Sequence, residues 1–225
     1  MRILLTGATG MVGGSVLREC LDDPRVTEVV ALGRKPSGLT HPKLRDLVRA
    51  NLAGYQDIGD AFRGFDACFF CAGVSAVGLD DPTYTAITFG RTVAAAEAFA
   101  AANPGKVFCY VSGEGTDSTE QGRSMWARVK GRTENRLLAM PISAYMFRAG
   151  YIQPRKGVRS KTGWYQAFYT VMGPLFPVLR VFFGRHMTTA ENVGRAMIAA
   201  GAGLAGDTRI LENDDINRLA TKGSA

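Results

Sequence analysis

Short apolar runs alternate along the chain with longer stretches whose apolar residues recur at helical spacing. The apolar runs predict strands at residues 2–6, 28–32, 67–71, 106–112 and 142–147. The longer stretches predict helices at residues 11–21, 82–102, 124–139 and 190–200. Strands that alternate with helices are typical of β-α-β units. The pattern therefore predicts an α/β protein with a parallel sheet and right-handed crossovers.

Two shorter segments extend this pattern. Leu44 to Leu52 holds a candidate third strand, and Thr208 to Leu211 a candidate last strand. Thr188 and Glu191 have the spacing of a capping box, which predicts the start of the helix at residues 190–200.

Residues 6–13, TGATGMVG, join the first strand to the first helix. Gly7 permits a tight turn, Gly10 leaves room for a pyrophosphate near the backbone, and Gly13 allows close packing of the helix. The N–H groups at the start of the helix attract phosphate. We therefore predict a doubly wound Rossmann fold that binds a dinucleotide, with Thr9, Met11 and Val12 completing the loop.

The second strand is followed by two cations, Arg34 and Lys35, and by no acid. Sites that prefer NAD place an acid there for the adenosine ribose, whereas cations pair with a ribose 2′-phosphate. The sequence therefore favours NADP as the cofactor. The alternative is an ordinary pair of surface cations.

These residues resemble the short-chain dehydrogenase/reductase superfamily, and most of all its atypical branch of NAD(P)-binding, nucleotide-sugar-epimerase-like proteins. The resemblance is clear over residues 1–150 and loose beyond them. Ala72 and Gly73 look like the family's cofactor-lining turn, Ser112 like its catalytic serine, and Lys130 in VKGRTENRLL like its lysine. TTAENVGRAM is similar to the closing helix of this branch.

The resemblance implies hydride transfer between a nicotinamide and a carbon, assisted by a proton from a tyrosine four residues before the lysine. The serine positions the substrate carbonyl, and the lysine lowers the pKa of the tyrosine and bonds the nicotinamide ribose. This chain has Trp126 at the tyrosine position. An indole N–H donates a hydrogen bond but does not give up its proton at physiological pH. The expected proton relay is therefore missing.

Three interpretations of this substitution stay open. Another group carries the proton, with Glu114, Tyr84 and Tyr151 as candidates near the cofactor side. The reaction is a hydride transfer that needs no strong acid. Alternatively, the protein is a non-catalytic module that binds NADP(H) and reports redox state to a partner.

The region after the sixth strand has a different composition. Arg155, Lys156, Arg159 and Lys161 precede an apolar stretch at residues 164–183. Its aromatic residues are Trp164, Tyr165, Phe168, Tyr169, Phe176, Phe182 and Phe183. They suit a wall for an apolar or aromatic small molecule, a surface that touches a membrane, a subunit interface, or packing against the core. We expect residues 1–150 to form the cofactor-binding core and residues 151–225 to complete the same domain.

The net charge of +7 is concentrated at residues 121–161, which hold ten Lys or Arg and the single acid Glu134. This indicates a solvated basic face or a nearby anionic ligand such as a dinucleotide. A role with nucleic acid is the least favoured, because the aromatic residues cluster and do not alternate with the cations.

The four cysteines lie in apolar segments, which favours buried thiols in a reducing compartment such as the cytoplasm. Cys68 and Cys71 on one strand would point to opposite faces of the sheet. With two histidines in the chain we expect no metal site. We also expect no signal peptide and no transmembrane segment. The sequence does not define the oligomeric state.

Overall fold

The structure, a computed structural model, describes residues 1–154 and 186–223. Its strands are β1 (Arg2–Thr6), β2 (Glu28–Gly33), β3 (Leu44–Val48), β4 (Ala67–Phe70), β5 (Val107–Val111), β6 (Ser143–Arg148), β7 (Tyr151–Gln153), β8 (Met187–Thr189) and β9 (Ile210–Glu212). Its helices are α1 (Met11–Asp22), α2 (Asp81–Thr85), α3 (Arg91–Ala102), α4 (Met125–Leu138), α5 (Ala190–Gly201) and α6 (Asn213–Lys222). A π-helical turn, Ala86–Gly90, joins α2 to α3, and a 3₁₀ helix spans Gln56–Phe62.

Seven strands form one parallel sheet in the order β3-β2-β1-β4-β5-β6-β9. Strands β7 and β8 pair in parallel as a separate two-stranded sheet. The strand order reverses between β1 and β4, and ligands of such sheets bind beyond the carboxyl ends of the strands at this reversal. The predicted α/β doubly wound fold is confirmed.

The sheet separates two layers of apolar side chains. Along β1, Ile3 and Leu5 pack on one side and Leu4 on the other, and all three are fully buried. The first layer includes apolar residues of α1, α5 and α6, and the second includes those of α3 and the end of α4. Because both faces are covered, the central strands are apolar at nearly every position, which is the pattern seen in the sequence.

Two details of the predicted elements were wrong. The helix at residues 82–102 is interrupted by the π turn, which the alanine-rich pattern does not reveal because the turn changes backbone pairing and not composition. The helix at residue 190 is capped by Thr189, whose hydroxyl accepts from the Asn192 N–H at 3.1 Å. Thr188 is not the cap; its hydroxyl donates to Asn217.

The predicted basic face of residues 121–161 is partly neutralised by two acids from elsewhere in the chain and by its own acid, Glu134. Arg128 pairs with Asp81 at 3.3 Å and Arg136 with Glu97 at 2.9 Å. Arg148 pairs with Glu134, which is fully buried. The remaining cations of the stretch therefore form a weaker positive field than the count implies. Arg155, Lys156, Arg159, Lys161 and the aromatic segment at residues 164–183 lie outside the described residues.

Within residues 1–154 and 186–223, no helix is both long and apolar enough to cross a membrane. The same part of the chain holds no group of three or more His, Cys, Asp or Glu side chains placed to bind a metal. Cys68 packs in the α3 layer and Cys71 against the α1 layer, so the two thiols lie on opposite sides of the sheet, as predicted. Burial raises the pKa of Cys71 to about 12, so this thiol is held in its unreactive form at neutral pH.

Candidate functional site

The turn after β1 is built so that glycine is required at two positions. Gly7 has φ of +78°, and a Cβ there would lie 2.6 Å from the carbonyl carbon of Cys71, at the end of β4. A Cβ on Gly13 would overlap the carbonyl oxygen of Gly7. The threonine that ends β1, Thr6, accepts a hydrogen bond from the Ala72 N–H at 3.3 Å. The start of α1 is thereby held close to the ends of β1 and β4.

The first turn of α1 presents backbone N–H groups. Gly10 is the N-cap residue, no side chain caps the helix, and the first turn holds no acid. The Gly10 N–H donates to the Gly7 carbonyl at 2.8 Å. The N–H groups of Met11, Val12 and Gly13 have no acceptor inside the helix. With the positive end of the helix dipole, they form a site suited to phosphate.

A cavity of about 590 Å³ opens beside this turn. Seven of the predicted cofactor residues line it: Gly7, Thr9, Gly10, Arg34, Lys35, Ala72 and Gly73. Met11, Val12 and Gly13 are not among the lining residues; they follow the lining residue Gly10 at the start of α1. Ser112, Trp126 and Lys130 are not among the lining residues; they lie at the end of β5 and on α4.

The cavity also includes residues that the sequence analysis missed: Asp46, Leu52, Tyr55, Ile87 and Arg91. Asp46 lies on β3 opposite Ala31 of β2, so the parallel register brings it to the cavity. Ile87 and Arg91 are four residues apart across the π turn and reach the same cavity. The Arg91 side chain is half-buried and has no acidic partner among the described residues. Hydrophobic periodicity does not predict that these residues meet in one cavity, because their meeting depends on strand register and helix phase.

The cations after β2 stand on a fixed loop. Arg34 and Lys35 are exposed, and within the described part of the chain neither has an acidic partner. The carboxylate of Asp46 accepts from the Ser37 N–H at 3.0 Å and from its hydroxyl at 3.1 Å, one bond on each oxygen. The acid of this cavity is therefore already used to hold the loop that carries the two cations.

Lys130 contacts Ser112 through the serine's backbone carbonyl and not through its hydroxyl. The Nζ atom of Lys130 donates to the backbone carbonyl of Ser112, while the Ser112 hydroxyl is buried and donates to the Phe147 carbonyl at 3.4 Å. Burial lowers the pKa of Lys130 to about 8, and the nearby charge of Glu134 opposes this shift. Nζ lies 5.9 Å from the ring centroid of Trp126, one helical turn earlier. The tryptophan and lysine thus share one face of α4.

The three alternative proton carriers have different surroundings. Tyr84 is 1% exposed, and burial raises its pKa. Tyr151 donates its hydroxyl to Gln153 at 2.8 Å, and burial also raises its pKa. Glu114 forms a short hydrogen bond with Nδ1 of His186. Glu114 thus contacts a second titratable side chain, that of His186.

The fold and the glycine turn define a dinucleotide-binding α/β protein. A family model described as NAD(P)H-binding matches residues 7–139, more than half of the chain, and the protein belongs to that family. The resemblance to the atypical branch of the short-chain dehydrogenase/reductase superfamily is confirmed.

A curated relative is similar over part of the chain. Leucinostatins biosynthesis cluster protein T of Purpureocillium lilacinum is 31% identical over 144 residues, which are 62% of this chain and 52% of that protein. The chain thus spans about half the length of that relative.

Solved structures share the fold at low identity. MoeE5 in complex with UDP-glucose and NAD has a TM-score of 0.67 and 15% identity, over 99% of this chain and 81% of that one. WbmH of Bordetella bronchiseptica in complex with NAD+ has a TM-score of 0.64 and 19% identity, over 90% and 72%. The oxidoreductase ylbE of Lactococcus lactis has a TM-score of 0.66 and 13% identity, over 99% and 96%. The fold is that of NAD(P)-binding oxidoreductases and epimerases.

Proposed function

We propose that the protein binds NADP(H) in the cavity beside the glycine turn and acts on a small molecule as an oxidoreductase or an epimerase-like enzyme. The observation that carries the proposal is the pairing of this turn with Arg34 and Lys35 on one cavity wall, where the carboxylate of Asp46 is occupied by Ser37. A free acid there would favour the 2′-hydroxyl of NAD, whereas free cations favour a 2′-phosphate.

The described residues fit such a cofactor. The N–H groups of Met11, Val12 and Gly13 would hold the pyrophosphate, and Arg34 and Lys35 the 2′-phosphate. Thr9, Gly10, Ala72 and Gly73 would line its path, and Lys130 would hold the nicotinamide ribose. When bound, the nicotinamide supplies or accepts a hydride. Relatives named in complex with NAD show the fold, so the preference for NADP rests on this chain's own cations.

The cofactor preference is tested by titration calorimetry with NADPH and NADH. Arg34→Glu should weaken NADPH binding by about tenfold or more, since it removes a charge-assisted bond and adds repulsion, and should leave NADH binding nearly unchanged. Arg18→Glu, on the exposed side of α1 away from the cavity, makes the same change in net charge and is the control. Equal losses for both coenzymes with Arg34→Glu would contradict the preference.

The alternative function is a non-catalytic module that binds NADP(H) and reports redox state. Trp126 favours it, because the tyrosine of the proton relay is absent and the Lys130 head group is bonded to the chain itself. NADPH absorbance in the presence of a panel of carbonyl compounds separates the two functions. Turnover by the wild type supports an enzyme, whereas turnover that appears only with Trp126→Tyr supports the module.

The substrate region is part of the proposal. MoeE5 and WbmF of Bordetella bronchiseptica are named in complexes with UDP-sugars or UDP. For this chain we propose an apolar or aromatic small molecule, with residues 1–150 as the cofactor core and residues 151–225 completing the same domain. The buried thiols suit a reducing, cytoplasmic setting.

A further inference from the structure

We propose that Glu114 and His186 form the acid–base pair of the substrate site, in the role left open by Trp126. The inference rests on the proposed function and assigns its proton-transfer step to named side chains. The two residues are 72 positions apart in the chain and meet through a hydrogen bond between a Glu114 carboxylate oxygen and Nδ1 of His186.

The chain holds Glu114 firmly at the carboxyl edge of the sheet. It lies between Gly113 and Gly115, both with positive φ, in a turn closed by the Thr116 hydroxyl, which donates to the Gly113 carbonyl at 2.7 Å. The Glu114 N–H donates to the Ala149 carbonyl at 3.1 Å, which extends the pairing of β5 with β6. This edge is where open α/β sheets bind their ligands.

The pair packs over a glycine that leaves room for it. A Cβ on Gly150 would overlap the Glu114 carboxylate and lie 2.7 Å from the His186 carbonyl oxygen. The Gly150 N–H donates to the side chain of buried Asn213 at 3.1 Å, and this bond holds the Gly150 backbone in place. The space beside Gly150 is therefore occupied by the Glu114 carboxylate and the backbone of His186.

The pair also adjoins the lysine at the reactive end of the site. A Cβ on Gly113 would lie 3.4 Å from Nζ of Lys130. Gly113 directly precedes Glu114, so the lysine head group lies beside the residue next to Glu114 in the turn. The cofactor contact implied for Lys130 and the proposed acid–base pair thus share one end of the sheet.

Other charged groups surround the pair. Arg148 pairs with buried Glu134 and, at 3.6 Å, with Glu212. Burial raises the pKa of Glu212, and the negative charges of Glu114 and Glu134 act in the same direction. Lys130 faces the same turn. A pH–rate profile alone therefore does not assign a titration to Glu114 or His186. Variants of the neighbouring charged residues are needed to make that assignment.

The chemistry follows from the geometry. With Glu114 accepting the Nδ1–H bond, the neutral imidazole keeps its lone pair on Nε2 and acts as a base; when protonated, Nε2–H is an acid. In reduction of a carbonyl, the carbon gains the hydride, the oxygen gains the Nε2 proton, and the products are an alcohol and NADP+. The His186 side chain is 63% exposed, so solvent returns the proton. In oxidation each transfer reverses.

A spectroscopic test needs no substrate. The chain has two histidines, and their neutral tautomers should be opposite. The Lys43 N–H donates to Nδ1 of His41 at 3.1 Å, which places the His41 proton on Nε2, whereas Glu114 places the His186 proton on Nδ1. Long-range ¹H–¹⁵N spectra at alkaline pH distinguish the two forms. Glu114→Ala should shift His186 alone to Nε2–H; an unchanged His186 overturns the pairing.

A kinetic test uses NADPH and the panel of carbonyl compounds. His186→Gln and Glu114→Ala should lower kcat by about 10²- to 10⁴-fold with an unchanged Kd for NADPH, while His41→Gln leaves kcat intact. Full activity in His186→Gln overturns this inference but not the proposed function. A wild type that binds NADPH and never turns over overturns the enzyme assignment, and the pair with it.

Discussion

The carboxylate of Asp46 and the backbone and hydroxyl of Ser37 are joined by two hydrogen bonds, at 3.0 and 3.1 Å. Asp46 belongs to β3 and Ser37 to the loop that carries Arg34 and Lys35. The edge strand β3 therefore helps to fix the position of the loop with the two exposed cations. Each carboxylate oxygen of Asp46 already accepts one bond from Ser37.

Ser37→Ala should weaken NADPH binding by roughly 3- to 10-fold, since a net hydrogen bond of about 0.5–1.5 kcal/mol no longer holds the loop. Titration calorimetry measures the change. Thr27→Ala removes a comparable bond, from its hydroxyl to the Met1 carbonyl at 3.1 Å, at the amino ends of β1 and β2, and should leave binding unchanged. An unaltered Kd in Ser37→Ala would show that the loop keeps its position with the backbone N–H bond to Asp46 alone.

Gly13→Ala should destabilise the protein and abolish dinucleotide binding. The added Cβ would overlap the Gly7 carbonyl, so the helix start or the turn must move, at a cost of about 1–3 kcal/mol or more. Thermal unfolding and titration with NADPH measure both effects. Gly90→Ala, in a helical backbone with no atom within 4 Å of its Cβ position, should be neutral or slightly stabilising.

Lys130 should give the protein a distinct dependence on pH. Its folded pKa of about 8 lies below the ordinary value of 10.5, so the unfolded chain binds more protons between these values. The wild type should therefore gain stability relative to Lys130→Arg, whose side chain stays charged, as pH rises from 7 to 10. Urea unfolding of both proteins across this range measures the difference. The same difference at every pH would contradict the depressed pKa.

Glu134→Gln should cost stability, because Glu134 is fully buried and Arg148 would lose its charged partner. The expected loss is at the lower end of the roughly 3–5 kcal/mol typical of breaking a buried pair. Glu97→Gln breaks the exposed pair with Arg136 and should cost less than about 1 kcal/mol. Urea unfolding compares the two; equal losses would mean that burial of the Glu134 pair is unimportant.

The parts of the molecule that depend on local sequence were predictable. The spacing of Gly7 and Gly13 predicts the turn, and the apolar run before them predicts β1. Helix α6 was missed although Ile216 and Leu219 recur at helical spacing, because its capping box begins with Glu212 and not with serine or threonine.

Residues that meet only in three dimensions were not predictable from this one sequence. Asp46 reaches the cavity through the register of β3 with β2, and Arg91 through the phase of a helix. His186 reaches Glu114 from the far end of the chain. Nothing in the local pattern of any of these residues indicates its neighbour, since each contact is set by how distant segments pack.

The π turn at Ala86–Gly90 shows how small an insertion can redirect a side chain. Such a turn holds one residue more than an α-helical turn, so every later position is rotated by about 100° about the axis. Deleting a single residue there would leave an alanine-rich segment just as helical, yet swing the Arg91 guanidinium away from the cavity. The direction in which Arg91 points therefore depends on how many residues the turn contains, and not on which residues they are.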